Sequence, residues 1–421
     1  MNASAQARQL LSEGRVAEAE QAYERVLQQA PEDAEALNVI ALAALRRRDC
    51  PRAVQLLQRA VTAHPDDFHS RFHLGRACDE AGELSRALVE YQAALQIDPG
   101  AHVARLYYGY ALDRSGEPQR ALGHYVAALD RAQGGGRWLD PGTTPANLRP
   151  LVEQAVRAVR GTRRAIADEV LSSLRLRYGE SELGRVAQAL RIYLRQQPPM
   201  YPDPRQRPRL FYFQGLPPSP YLERKLFDWI DALEQQAAPI RAELQRLLPS
   251  GAGRERVFLS EEVERASLRG VDAAPTWNGY YLYRHGQRRE DNCAACPSSA
   301  AAIDALPLSR VAGHGPEVLY SVFTPGTHLL PHCGVTNTRL VGHLPLIVPP
   351  DCALKVGGEL HVWQPGRVVV FDDTYEHEAW NRSDQIRVVM IFDIWNPYLT
   401  PVERLAVAEL IPRIGALQPA A

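Results

Sequence analysis

The chain has 421 residues, enough for two or three domains with cores of their own. Its 48 Lys and Arg nearly balance 49 Asp and Glu, leaving a formal net charge of -1, so no global field draws in nucleic acid or an anionic membrane surface. Cys50, Cys78, Cys293, Cys296, Cys333 and Cys352 are scattered, which fits a reduced compartment better than a disulfide framework. The opening "MNASAQARQLLSEGR" has no apolar stretch of a signal peptide, and no window approaches a membrane-spanning length. The expectation is a cytoplasmic protein with neither nucleic acid nor membrane as a partner.

In chain order, the first signal is a repeat. Prolines 31, 65 and 99 are spaced by 34 residues, and the same period links Ala19, Ala53, Ala87 and Ala121. It also links Tyr23, Leu57, Tyr91 and Tyr125, and again Ala7, Ala41, Gly75 and Gly109. Small residues at two places per unit let paired helices approach closely, a large residue fills the groove, and the proline ends the second helix. Turn residues are expected at Gly14, Gly82 and Gly116. The pattern resembles tetratricopeptide repeats and predicts an α-solenoid over residues 1–133. Such a solenoid has a concave face for a peptide or protein; the alternative is a role in oligomerisation or rigidity. "QGGGRWLDPGTTPANLRP" breaks the period, so residues 134–206 are read as a helical cap with linkers.

From residue 207 to 400 the pattern becomes β-rich. "RLFYFQG" is expected as a strand and residues 219–247 as one amphipathic helix. "EVLYSVF", "TRLVGHLPLIV", "RVVVFD" and "IRVVMIFDIW" are the clearest strands, and their spacing suggests a sandwich or jelly-roll barrel. Residues 401–421 are left as a C-terminal helix and tail. On "IRVVMIFDIW", alternation puts Arg387, Val389, Ile391 and Asp393 on one face and Ile386, Val388, Met390 and Phe392 on the other. Both faces are apolar enough to be buried, so Arg387 needs an anion: a protein carboxylate such as Asp393, or the carboxylate of a ligand. His332 and His377 lie 45 positions apart at the edges of apolar runs, where they are either core histidines or a metal pair meeting across a barrel. Metal sites of this kind usually read His-x-Asp or His-x-Glu, and here the third position is Gly334.

"HCGVTNTRLVGHLPLIVPP" and "FDDTYEHEAWNRSDQIRVVMIFDIWNP" resemble the aspartyl/asparaginyl β-hydroxylases, over residues 207–398 and most densely over 320–397. The resemblance implies a double-stranded β-helix (jelly-roll, cupin-like) oxygenase after the solenoid, an α+β multidomain chain. It implies Fe(II) on His332 and His377, with water in place of a carboxylate at Gly334, and 2-oxoglutarate and dioxygen as co-substrates. Arg387 and Ser321 would hold the far carboxylate of 2-oxoglutarate, and His343 would stand near the proximal one. Trp277 would flank the same pocket. Some members carry Arg where this chain has Val341; alternation puts Arg339 on the same strand face as Val341 and His343, so a substitution by Arg339 is geometrically possible, and Arg339 is counted with the co-substrate residues. The implied reaction is hydroxylation of the β-carbon of Asp or Asn in a peptide or protein docked on the solenoid. A carrier-bound or small acyl or amino-acid substrate and an inactive binding scaffold are the alternatives. Cys293 and Cys296 have metal or redox spacing without a second pair, and Pro297 beside them predicts a helix start, so a structural role is expected. Asp372 and Asp373 are read as turn residues, with a late iron ligand as the alternative.

Overall fold

A computed structural model of the chain describes residues 3–248, 254–257, 267–270 and 276–415. They form two compact units, residues 3–163 and 164–415. The last residues of the expected tail, 416–421, lie outside the described set.

The first unit is a series of helix pairs: α1 (Ala3–Ser12) with α2 (Val16–Gln29), α3 (Ala34–Arg46) with α4 (Cys50–Ala63), α5 (Phe68–Glu80) with α6 (Leu84–Ile97), and α7 (His102–Arg114) with α8 (Pro118–Gly134). Each repeating column has its predicted place. Ala19, Ala53, Ala87 and Ala121 are buried, as are Tyr23, Leu57, Tyr91 and Tyr125. The glycines of the third column are small for a reason: a Cβ on Gly75 would stand 2.7 Å from Cδ1 of Tyr91, and one on Gly109 2.9 Å from Cδ1 of Tyr125. Gly14, Gly82 and Gly116 turn the chain at positive φ, and Arg48 takes the same conformation (φ 60°) where the second repeat lacks the glycine. Asp33, Asp49 and Asp67 cap the next helices by accepting from the backbone N–H of Ala36, Arg52 and Ser70. The stretch expected as a separate cap is divided. Trp138, Leu148, Val152, Ala155 and Val159 bury into the repeat core, whereas Ala167, Val170 and Leu174 from the far half of α9 (Arg149–Tyr178) belong to the core of the second unit.

In the second unit α10 (Gly184–Tyr193) is followed by α11 (Ile230–Gln235) and α12 (Ala237–Leu247). The single helix expected over 219–247 is therefore broken. Pro239 lacks the N–H that would bond the carbonyl of Gln235, so the helix restarts at Ala237. The strands are β1 (Arg254–Arg256), β2 (Leu268–Arg269), β3 (Trp277–Arg284), β4 (Gln287–Arg288), β5 (Val318–Phe323), β6 (His328–His332), β7 (Arg339–Ile347), β8 (Cys352–Val356), β9 (Glu359–Val362), β10 (Val369–Phe371), β11 (His377–Asn381) and β12 (Arg387–Trp395). One sheet runs β1-β3-β5-β12-β7-β10 with β4 on β3; the other runs β2-β6-β11-β8-β9. Pairing between these strands is antiparallel throughout, and among the described residues the two sheets are not joined into a closed barrel.

The larger sheet is covered on both faces. Val388, Met390 and Phe392 pack with α11, α12 and the helix Pro297–Asp304. Val389 and Phe323 share a second core with Leu329, Leu354 and Ala379 of the smaller sheet. "RLFYFQG" is not a strand. Its N–H groups go to the loop after β6: Arg209 to the carbonyl of Gly334, Leu210 and Phe211 to that of Val335, and Phe213 to Oδ1 of Asn337. The expected C-terminal helix runs over Pro401–Gly415 and joins a core, where Ala406, Val407 and Leu410 pack with Phe211 and Phe213.

Candidate active site

Side-by-side pairing of β3, β5 and β12 builds one wall. Phe323 stands opposite both Trp277 and Arg387, and Ser321 opposite Val389. Arg387 is 1 % exposed. Its Nη1 donates to Oγ of Ser321 at 3.2 Å and to the Ser321 carbonyl at 3.4 Å, while Trp277 Nε1 donates to the same hydroxyl at 2.9 Å. Among the described residues no carboxylate pairs with Arg387. Asp393, the protein partner that alternation offered, instead accepts from Arg339 Nη1 at 2.6 Å. The guanidinium carbon lies 3.8 Å from the ring centre of Phe323 and 4.7 Å from that of Trp363. Burial without an anion pulls Arg387 down to about 9.

The two histidines meet across β6 and β11, where they are direct register partners with ring centres 4.1 Å apart. Each is held by the carbonyl two residues earlier: Nδ1 of His332 by Leu330 at 2.9 Å, and Nδ1 of His377 by Tyr375 at 3.0 Å. That contact puts the proton on Nδ1 and leaves a lone pair on Nε2, the arrangement typical of metal-binding imidazoles. Burial, and then the nearby His332, press His377 down to about 3, so it is neutral at physiological pH. Among the described residues no three His, Cys, Asp or Glu side chains are grouped to hold a metal. Two adjoining imidazoles, each with its proton on Nδ1, fit a metal held by two nitrogens.

Gly334 faces a carboxylate. A Cβ built there would overlap Cγ and both oxygens of Asp373, deep inside van der Waals contact. The space expected for water thus adjoins a carboxylate delivered from another strand end. Oδ2 of Asp373 accepts from Arg339 Nη2 at 2.9 Å, Oδ1 is buried without a partner among the described residues, and the backbone carbonyl accepts from Gly334 N at 2.6 Å. Arg339, the residue considered as a substitute for an arginine at Val341, is bound to Asp373 and Asp393, so two acids already match its charge. Burial would lower the pKa of Arg339, but those two acids outweigh burial and raise it. Asp372 has the expected turn role, accepting from Thr374 N and Oγ and from Gln206 Nε2.

His343 on β7 is buried, 5.0 Å from the Phe371 ring and 5.8 Å from Trp363, and burial holds it neutral. Trp363 was missed in the sequence. Alternation along "ELHVW" groups it with Glu359 and His361 and would have sent the apolar Leu360 and Val362 inward, whereas those two are exposed and Trp363 is buried. Cys293 and Cys296 are free and buried, and Pro297 starts a helix as expected.

The sequence that builds this site matches a known family model. The aspartyl/asparaginyl β-hydroxylase model matches residues 234–397, and a tetratricopeptide-repeat model matches residues 4–50 and 39–102. The C-terminal unit carries an aspartyl/asparaginyl β-hydroxylase domain. The human aspartyl/asparaginyl beta-hydroxylase is 32 % identical over 199 residues, 46 % of this chain and 25 % of its own length. The ornithine lipid ester-linked acyl 2-hydroxylase of Rhizobium tropici is 33 % identical over 43 % of this chain and 62 % of its own. The human aspartate beta-hydroxylase domain-containing protein 2 is 29 % identical over 55 % of this chain and 61 % of its own. The chain thus spans between a quarter and about three fifths of these relatives. A MamA structure aligns with 30 % of this chain and 76 % of its own at 26 % identity, with a TM-score of 0.28. The β-hydroxylase domain contains His332, His377, Arg387, Ser321, His343, Trp277 and Arg339. No helix among the described residues is long and apolar enough to cross a membrane.

Proposed function

We propose that the chain is an Fe(II)- and 2-oxoglutarate-dependent dioxygenase, on a double-stranded β-helix, that hydroxylates the β-carbon of an Asp or Asn in a peptide or protein. The observation that carries this reading is Arg387, a buried guanidinium beside Ser321 with no acidic partner among the described residues. A buried cation is costly unless an anion reaches it. A dicarboxylate supplies that anion in the bidentate geometry a guanidinium favours. His332 and His377 would hold the iron through Nε2. The bound metal and co-substrate would supply the dioxygen activation that these side chains lack.

The remaining tasks belong to the chain. Trp277 orients the Ser321 hydroxyl, Ser321 and Arg387 bind the far carboxylate, and neutral His343 offers a ring N–H to the nearer one. Phe323, Val341 and Val389 keep water out. Arg207 and Arg209 are exposed, act electrostatically on Cys333 next to His332, and have no ion pair among the described residues, which favours an acidic substrate segment. Partly exposed Phe68, Tyr107 and Tyr110 on the first helices of the repeats would dock the protein that bears it. A second reading, hydroxylation of an acyl chain on a lipid or carrier, is favoured by the Rhizobium relative.

The test is incubation of the purified chain with Fe(II), 2-oxoglutarate, dioxygen and a lysate, reading succinate and one-oxygen mass gains by mass spectrometry. Succinate no higher than in an Arg387→Met control would end the dioxygenase reading. Oxygen gained on lipids and not on peptides would select the second.

A further inference from the structure

Three polar atoms at the guanidinium are buried with no hydrogen-bond partner among the described residues: Nε of Arg387, Nδ1 of His343 and Nε1 of Trp363. Their owners touch one another. The Trp363 ring centre is 4.7 Å from the guanidinium carbon and 5.8 Å from the His343 ring centre, and Trp363 is 3 % exposed. Buried polar groups are normally paired, and each one left alone costs about 1–3 kcal/mol. The chemistry of two of them is one-sided. Indole N–H and guanidinium N–H only donate, whereas the neutral imidazole donates from one nitrogen and accepts at the other. Two unanswered donors, one of them on a positive charge, call for a ligand that accepts.

We propose that Trp363 is a binding residue for the dicarboxylate co-substrate, its indole N–H donating to the carboxylate that pairs with Arg387. The ring has a second task. Phe323 and Trp363 both lie against the guanidinium, so its plane is held before any ligand arrives and little side-chain freedom is lost on binding. Trp363 stands just past β9, a strand that supplies none of the other carboxylate-binding groups, so it closes the pocket from the side of the smaller sheet while Arg387 and Ser321 come from the larger. This inference rests on the dioxygenase reading given above.

Trp363→Phe keeps an aromatic ring against Arg387 and removes only the N–H. Calorimetric titration of 2-oxoglutarate into the full chain with Mn(II), under anaerobic conditions, should give a Kd raised about tenfold, the loss typical of one hydrogen bond to a charged group. The unliganded melting temperature should stay level or rise, because a buried orphan donor has gone. Trp363→His, which restores a ring donor, should recover part of the affinity. An unchanged Kd in Trp363→Phe, beside a large loss in Arg387→Met, would overturn the role of Trp363 and leave the dioxygenase reading standing. An unchanged Kd in Arg387→Met would overturn the reading itself. Should the Trp363 variants not fold, indole N–H resonances of the unaltered chain decide. One besides that of Trp277, identified with Trp277→Phe, should move downfield with 2-oxoglutarate, and no such movement would overturn the proposal.

Discussion

Replacing Gly334 by alanine should destabilise the C-terminal unit far more than an exposed loop substitution. The added methyl would occupy the volume of the Asp373 carboxylate, so that group must leave. Leaving breaks its 2.9 Å bond to Arg339 in a buried setting. Removing one partner from a buried ion pair costs on the order of 3–5 kcal/mol. Arg339 keeps Asp393, so a value near the lower end, about 3 kcal/mol, is expected. For a unit of this size each kcal/mol moves the midpoint by roughly 2–4 °C, which gives a fall of roughly 6–12 °C. The assay is a thermal melt of four chains: unaltered, Gly334→Ala, Asp373→Ala and the double variant. With Asp373 truncated the methyl has room, so Gly334→Ala should then cost less than about 1 kcal/mol, a coupling of about 2 kcal/mol between the two sites. Equal drops in both backgrounds would refute the packing of Asp373 against Gly334. By the same overlap, Gly334→Asp should not simply rebuild a two-histidine, one-carboxylate site, because a carboxylate already borders that position.

Arg387→Met should abolish measurable 2-oxoglutarate binding, a loss of at least a hundredfold, while the melting temperature holds or rises, since an unpaired buried charge is replaced by an apolar chain of similar length; a large fall in melting temperature would show that Arg387 answers a structural need. Burial, and next Arg76, depress His73 to about 4. Because the unfolded imidazole titrates near 6.5, the unfolded chain takes up the proton first, so the repeat unit should lose stability as pH falls from about 6.5 to about 4. His73→Phe should flatten that slope in chemical denaturation at several pH values. Gly75→Ala should destabilise the repeats by about 1–3 kcal/mol through its clash with Tyr91, whereas Arg48→Gly should stabilise them by several tenths of a kcal/mol by relieving a left-handed arginine; both are read as melting midpoints.

The sequence by itself determined the repeats and much of the site's raw material. A 34-residue period is a local, self-reinforcing pattern, and the buried Ala and Tyr columns of α2, α4, α6 and α8 follow it. The two-residue alternation of β12 likewise sorted Arg387 and Val389 from Val388 and Met390, because a pleated strand offers only two faces. Partner choice was not legible. Asp393 shares the strand and face of Arg387, yet it pairs with Arg339, 54 positions away, and leaves Arg387 to Ser321. No local pattern announces that Asp373 fills the space beside Gly334, that "RLFYFQG" becomes a strap on the His332 loop, or that Trp363 reaches Arg387 from the side of the other sheet. Periodicity reports which way each side chain points along its own element. Which charges meet, and which donors stay unanswered, depends on how separate strands are brought side by side, and only the tertiary structure decides that.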